Sequence, residues 1–389
     1  MTLSDTPSAS RRFLAVLGDT SDIQAWSGIP YHFQVAGEEA GFFSGTLRLP
    51  VERLRLRRIV WNLLSVVRRE RPGGFQYSNS CLEYLFRATK DQLAGAEVVS
   101  HFQLFPPLDL AGQYGVRSSY YIDMTLRRLF EEYGIQNTIG RSIARDSIMR
   151  EWEGYQAARY VVCMSSWAAR SVQQEYGISE DKVRVVMPGA NIDDEIAEAV
   201  LSERDGREEN SGENHGPFRL GFTGKHPERK GLPRLIEAAK LLRTRGVPVE
   251  VGVVGALPQQ YRSEPVVRWY GYIDKRTEMR RFAETVAGFD LGCLLSYAEG
   301  LGISTLEYLR MGVPVLGTSV GGITDCVPDD AGLLIDASSS SEAIAEMIQA
   351  LINEPERHLA MKRAALARRR QYTWKRVVQD FEQLWRRLP

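Results

Sequence analysis

Phe218-Arg-Leu-Gly-Phe-Thr-Gly224 runs into Lys225-His-Pro-Glu-Arg-Lys-Gly231 and then into a periodic segment from Pro233 to Arg245. The first part is an apolar strand ending in glycine, the second a basic turn, and the third has the apolar spacing of an amphipathic helix. The same order recurs downstream. Val249–Gly255, Val266–Tyr272, Phe289–Leu295, Val313–Gly317 and Gly332–Asp336 read as further short strands, with helices fitting between most of them. Short buried strands alternating with helices call for a mostly parallel sheet covered on both faces.

Upstream the chain follows the same pattern. Arg12–Gly18 reads as a strand and turn, and Ile29–Ala40 as a helix that tolerates Pro30 near its first turn. Glu97–Phe102, Ser119–Asp123 and Arg159–Met164 are candidate buried strands, Ser165 caps a following helix, and Val183–Gly189 is a short strand with a stop. The expected class is α/β, with an N-terminal half over 1–201 and a second half over 218–365. Between them, 202–217 holds five acidic residues, two asparagines and three glycines, and reads as an exposed linker. The terminal stretch 366–389 is expected to be helical, either closing the second half or bracing the first. Open α/β halves bind ligands outside the carboxyl ends of their strands.

The 389 residues favour two or three domains, and a 43% hydrophobic content supplies their cores. Forty-nine basic and 49 acidic residues cancel, and no zinc, recognition-helix or stacking-sheet motif appears, so no nucleic-acid partner is expected. Cys81, Cys163, Cys293 and Cys326 are scattered without a CxxC pair and are expected to be buried thiols. With no signal-peptide pattern and no apolar stretch of membrane-spanning length, a cytoplasmic location is expected, with peripheral attachment to the inner face of a membrane left open.

The chemistry-bearing stretch is Glu299-Gly-Leu-Gly-Ile-Ser-Thr-Leu-Glu307. A turn through Gly300, Leu301, Gly302 and Ile303 can offer backbone N–H groups to a phosphate, while carboxylates on either side hold neutral hydroxyls. A nucleotide carrying a sugar has both kinds of group. Glu299 is placed to hold sugar hydroxyls and Glu307 to accept from a ribose, unless each merely caps or pairs charge on its helix. Gly224, Lys225, Arg229 and Lys230 would face a diphosphate, although this is no Walker loop. His226 beside them is expected to face solvent.

These residues resemble the nucleotide-sugar site of the GT-B glycosyltransferases, specifically the large retaining glycosyltransferase family 4. The resemblance is strongest from Phe218 to Asp336, and Gly321-Gly322 is similar to a further turn near the donor. It implies two Rossmann-like domains facing one another across an interdomain cleft, the second binding the donor and the first most of the acceptor. Trp26-Ser-Gly-Ile-Pro30 resembles the first-domain loop near the diphosphate, placing Gly28 with the donor and Trp26 and Ser27 with the acceptor. The family often has a histidine ending an N-domain strand; here the corresponding stretch, Tyr120–Thr125, offers Asp123. His101 is either a packed histidine or an acceptor-side group. Tyr272 and Ile273 are expected beside the base.

The implied reaction transfers a sugar to an acceptor hydroxyl with retention, with Glu299, Lys230, Arg229 and Asp123 nearest the chemistry. The acceptor class is open: carbohydrate, lipid-linked glycan or small molecule. No tightly bound cofactor is expected and no metal is implied. The competing readings are a nucleotide-sugar epimerase and a noncatalytic nucleotide-sugar binding protein.

A last segment stands apart. From Arg48 through Arg71 there are eight arginines and two glutamates, interrupted by Ile59, Val60, Trp61, Leu63, Leu64, Val66 and Val67. The leading expectation is an apolar face packed inward under a solvated basic rim. The alternatives are contact with an anionic membrane or with an anionic acceptor.

Overall fold

The computed structural model describes residues 11–208 and 216–386. Internal contacts divide the chain into two units, one made of the residues up to Met187 together with those from Val377, the other of Pro188–Arg376. Each is a Rossmann-like α/β domain.

The first unit is a six-stranded parallel sheet of β1 (Arg12–Leu17), β2 (Gly45–Leu49), β3 (Glu97–Ser100), β4 (Arg117–Ile122), β5 (Val161–Cys163) and β6 (Val183–Val185). Its order is β2-β1-β3-β4-β5-β6, so the direction of winding reverses between β1 and β3. β2 is the strand that the sequence pattern did not single out. Helix starts follow local chemistry: Ser165 Oγ accepts from Ala168 N at 3.1 Å, and Ser78 Oγ accepts from Cys81 N at 3.3 Å. The last helix, Trp374–Arg386, brings Phe381 to 4.8 Å from Phe33 and 5.0 Å from Tyr121, ring to ring, while Trp385 packs edge-on to Phe42 at 5.5 Å.

The second unit repeats the plan with β7 (Phe218–Gly224), β8 (Val249–Gly255), β9 (Val267–Gly271), β10 (Leu291–Leu294), β11 (Val315–Thr318) and β12 (Gly332–Ile335). Its order, β12-β11-β10-β7-β8-β9, reverses between β7 and β10. Pro188 onward joins this unit for a definite reason. The fully buried guanidinium of Arg310 pairs with Asp194 at 3.1 Å and Glu198 at 2.8 Å on the helix Asp194–Glu208. Such a cation needs both partners to offset its desolvation. Of the stretch 202–217 read as linker, 202–208 continue that helix, and 209–215 lie outside the described residues. The terminal segment is two helices, Pro355–Arg368 and Trp374–Arg386, separated by a short tight turn.

All four cysteines are buried and unbridged. The expectation of inward packing for 48–71 is corrected. The helix Arg55–Val67 buries only Ser65, while Leu56, Ile59, Val60, Leu63, Val66 and Val67 stand exposed. Its inward contact is narrow: the Trp61 ring packs 5.8 Å from Phe75, Trp61 Nε1 donates to Gly73 O at 3.2 Å, and Gly73 N donates to Asn62 Oδ1 at 3.1 Å.

Within the first unit, Glu151 is a fully buried carboxyl. Leu126 N donates to both of its oxygens at 2.9 and 3.0 Å, Tyr155 Oη donates at 2.7 Å, and Tyr176 Oη donates as well. Burial outweighs these donors and pushes the carboxyl from its ordinary 4.5 up to about 7. A folded-state value above the unfolded one favours the protonated fold. This contribution is fully present below pH 4.5 and is lost as pH rises through about 7. The wild type is therefore expected to lose up to roughly 3 kcal/mol across that window relative to Glu151→Gln, which cannot ionise. Urea unfolding of both proteins at a series of pH values checks this; identical pH slopes would refute it.

Candidate functional site

The topology of the second unit brings together sequence-distant residues. At the β7/β10 reversal, the loop after β7 carries Lys225–Gly231 and the turn after β10 carries Ser296–Gly302. A crevice outside strand ends at such a reversal is where open α/β sheets bind ligands. The two segments are fastened by backbone: Tyr297 N donates to Arg229 O at 2.9 Å. Arg234, buried on the helix Leu232–Thr244, adds a clamp, its Nε donating to Leu295 O at 3.0 Å and its Nη1 to Ala337 O at 2.7 Å.

Glu299 is the centre of this assembly. Its Oε2 accepts from Arg229 Nη1 at 2.9 Å, Lys230 Nζ at 3.1 Å and Ser296 Oγ at 3.2 Å. Burial pushes the carboxyl up, but the charges of Lys230 and Arg229 prevail and hold it below the usual carboxylate range. Glu299 is thus an ionised, oriented acceptor at neutral pH. Lys230 is nearly as buried as its partner, whereas Lys225 and His226 are exposed, and Lys225 Nζ lies 5.9 Å from the centroid of Tyr272. Tyr272 is half exposed just beyond β9, with Ile273 buried beside it.

The turn Gly300–Gly302 leads into the helix Ile303–Arg310. The first N–H groups of a helix have no partner within it and carry its positive dipole end. Two buried hydroxyls of its first turn, Ser304 Oγ and Thr305 Oγ1, have no hydrogen-bond partner in the protein. Buried polar groups of that kind are uncommon without a ligand or water to satisfy them. The sequence reading passed over both, since a Ser-Thr pair on a helix is unremarkable by pattern. Glu307, further along the helix, is almost fully buried and ion-paired to Lys275, thirty-two residues away and equally unflagged. Lys275 Nζ also lies 3.9 Å from the centroid of the Phe282 ring. Gly321-Gly322 meets the same turn: Gly322 N donates to Gly300 O at 3.0 Å.

In the first unit, β1 and β3 end beside the Trp26–Gly28 turn and His101. Trp26 and Ser27 have φ of 49° and 60°, unusual for residues with a Cβ, and lead into the helix Ile29–Glu39. Such conformations cost of order 1–3 kcal/mol each and concentrate at functional turns. Trp26 Nε1 donates to Leu17 O at 3.2 Å, and its ring meets His101 edge-on at 5.4 Å. His101 Nδ1 lies 2.7 Å from Tyr121 O; a carbonyl only accepts, so Nδ1 carries the proton and Nε2 the lone pair. Burial pushes this imidazole down to about 4, so it is neutral at physiological pH. Asp123 follows β4, partly buried. His101, Trp26 and Ser27 are therefore neighbours, with Asp123 at the end of the adjacent strand.

Among the described residues, no group of three or more His, Cys, Asp or Glu side chains is placed to hold a metal ion.

Two Rossmann-like α/β units, the second with this charged switch-point site, define the GT-B class of fold. Residues 203–368 match the family Glycosyl transferases group 1. The D-inositol 3-phosphate glycosyltransferase of Pseudarthrobacter chlorophenolicus is 29% identical over 232 residues, covering 57% of this chain and 54% of that protein. The chain thus spans about half the length of the curated relatives it matches. Among solved structures, a sucrose-phosphate synthase from Thermosynechococcus elongatus superposes with a TM-score of 0.70 at 17% identity, covering 97% of this chain and 98% of that one. Anabaena HepE, solved with UDP and glucose, gives 0.65 at 13% identity, covering 97% and 100%. At such identities these two structures speak for the fold.

Close approach at the site gives a direct test. A Cβ on Gly231 (φ 76°) would lie 2.0 Å from Leu295 O, and one on Gly321 (φ 53°) 1.7 Å from Glu299 O. Gly246 has a similar φ of 79° but open space around it. Gly246→Ala should cost only the backbone penalty of about 1–2 kcal/mol. Gly231→Ala and Gly321→Ala should each cost clearly more, because backbone carbonyls must move. Denaturant melts of the three variants decide it, and equal losses would refute the packing described.

Proposed function

We propose that the protein is a retaining glycosyltransferase that moves a sugar from a nucleoside diphosphate to an acceptor hydroxyl, in glycan, glycolipid or glycoconjugate assembly. The observation that carries this reading is the buried Glu299 carboxylate, held between Arg229 and Lys230 at the β7/β10 reversal beside the unsatisfied hydroxyls of Ser304 and Thr305. The matched family and the inositol-phosphate glycosyltransferase relative support it, as does a UDP- and glucose-bound protein of the same fold.

The chemistry follows from charge. Breaking the bond from the sugar's anomeric carbon to phosphate oxygen leaves negative charge on the diphosphate and oxocarbenium character on the sugar. Arg229 and Lys230, the N–H groups of Leu301 to Ile303 and the two hydroxyls would stabilise the first. Lys225 and Gly224 line the same loop. Glu299 would accept hydrogen bonds from sugar hydroxyls and orient the ring without forming a covalent bond. The acceptor oxygen attacks the same face that the phosphate leaves, and its proton passes to the departing phosphate oxygen. Glu307, steadied by Lys275, would hold the ribose, with Tyr272 and Ile273 beside the base. Gly28 would approach the diphosphate, and Trp26, Ser27, His101 and Asp123 would meet the acceptor or the transferred sugar.

Glu299 pairs with both Arg229 and Lys230, leaving one net positive charge, so donor binding would exchange partners: the cations move to phosphate and the carboxylate to sugar. Glu299→Gln weakens the internal pairing. It should bind a nucleoside diphosphate at least as tightly as the wild type by calorimetry while losing about 10²-fold in transfer rate. Unchanged catalytic efficiency would sink the sugar-positioning role. Lys230→Ala should lose about 10²–10³-fold in turnover. Interconversion of nucleotide sugars by the wild type with no acceptor present would instead favour an epimerase.

The same cations lead to a further expectation. Transfer should survive thorough chelation, because Arg229 and Lys230 supply the positive charge at the leaving group. Loss of activity restored specifically by a divalent ion would overturn that assignment.

A further inference from the structure

The helix Arg55–Val67 is an amphipathic helix turned inside out, and the glycosyl-transfer reading does not use it. At about 100° per residue, Leu56, Ile59, Val60, Leu63, Val66 and Val67 fall within an arc of about 120°. All six are exposed, from 46% for Ile59 to 79% for Val67. Trp61 and Ser65, which face the domain, lie opposite the centre of that arc. The apolar stripe therefore points directly away from the protein along a helix about 20 Å long. Contiguous exposed apolar surface of this kind on a folded domain marks a contact site.

The charges around the stripe identify the occupant. Arg55 borders it on one side and Arg57 on the other, while Arg53, Arg68 and Arg69 lie beyond its ends. Across 48–71 the eight arginines exceed the two glutamates by six positive charges. Among the described residues, Arg53, Arg55, Arg58, Arg68 and Arg69 make no ion pair. A convex apolar ridge rimmed by uncompensated arginines matches a bilayer interface: the ridge enters the acyl boundary while long cationic side chains reach anionic headgroups. A second copy of the same face would instead bring arginine against arginine.

We propose that this helix docks the protein on a membrane surface bearing anionic lipid, lying in the interface plane without crossing it. Among the described residues no helix is long and apolar enough to span a bilayer. The ridge supplies depth and the arginines supply selectivity for charge.

The test is sedimentation of the full chain with phosphatidylcholine vesicles prepared with and without phosphatidylglycerol. Association should be at least about tenfold stronger with the anionic lipid and should fall as salt is raised. Leu63→Glu combined with Val67→Glu should abolish it while leaving the melting temperature and nucleoside diphosphate binding unchanged, since both side chains are exposed. Arg55→Glu with Arg57→Glu should remove the preference for anionic lipid. The proposal fails if the protein ignores anionic vesicles, or if Leu63→Glu with Val67→Glu binds them as well as the wild type. A concentration-dependent dimer dispersed by those same two changes would assign the face to a second copy and would equally overturn it. Loss of membrane association with intact diphosphate binding separates this inference from the transferase reading, which stands or falls on turnover.

Discussion

The burial of the Glu299 carboxylate between Arg229 and Lys230 is the constraint on which the second unit's site is built. Taking a carboxylate out of water costs several kcal/mol, which the pairing with Arg229 and Lys230 offsets. Satisfying it requires the loops after β7 and β10 to meet, which the parallel pairing of these neighbouring strands provides. Gly231 and Gly321 then have to be glycines, because backbone carbonyls of the β10 end occupy the space of a side chain. The Arg234 clamp and the Tyr297–Arg229 bond serve the same apposition.

The sequence shows most of this fold because parallel strands buried on both faces leave dense apolar runs. Phe218–Gly224 and Val249–Gly255 are legible to the residue. Gly45-Thr-Leu-Arg-Leu49 is not, since an edge strand with a glycine and an outward arginine carries a weak signal; only its pairing with β1 makes it a strand. At the site, Glu299, Arg229 and Lys230 stand out by type and by adjacency to glycine. Lys275 does not, because its partner Glu307 is reached through the fold. Ser304 and Thr305 become notable only when their burial and lack of partners are known.

The first unit shows a different kind of information. Trp26 and Ser27 sit in a backbone region that a sequence cannot announce, since nothing in Trp-Ser-Gly demands positive φ. The surrounding packing imposes it: the Trp26 indole is tied to the end of β1 and set against His101 at the end of β3. His101 is locked into one tautomer by Tyr121 and kept neutral by burial. By motif comparison alone, Asp123 occupied the strand-end position expected of a histidine. By geometry, the imidazole lies one strand over, next to the strained turn.

The helix Arg55–Val67 marks where pattern reading stops for a physical reason. Its apolar period is a good helical one, and period alone cannot say which way the stripe faces. The usual inference, that apolar means inward, assumes that the hydrophobic effect fixes the helix to the domain. Here one narrow contact does so: the Trp61 ring packs 5.8 Å from Phe75 against the first unit's core, and Trp61 and Asn62 both bond Gly73. With the helix held by that narrow inward contact, the apolar stripe stays on its outer side. A surface that is unfavourable in water is sustained only if the helix is anchored independently of it, and the packing and bonds of Trp61 and Asn62 are that anchor.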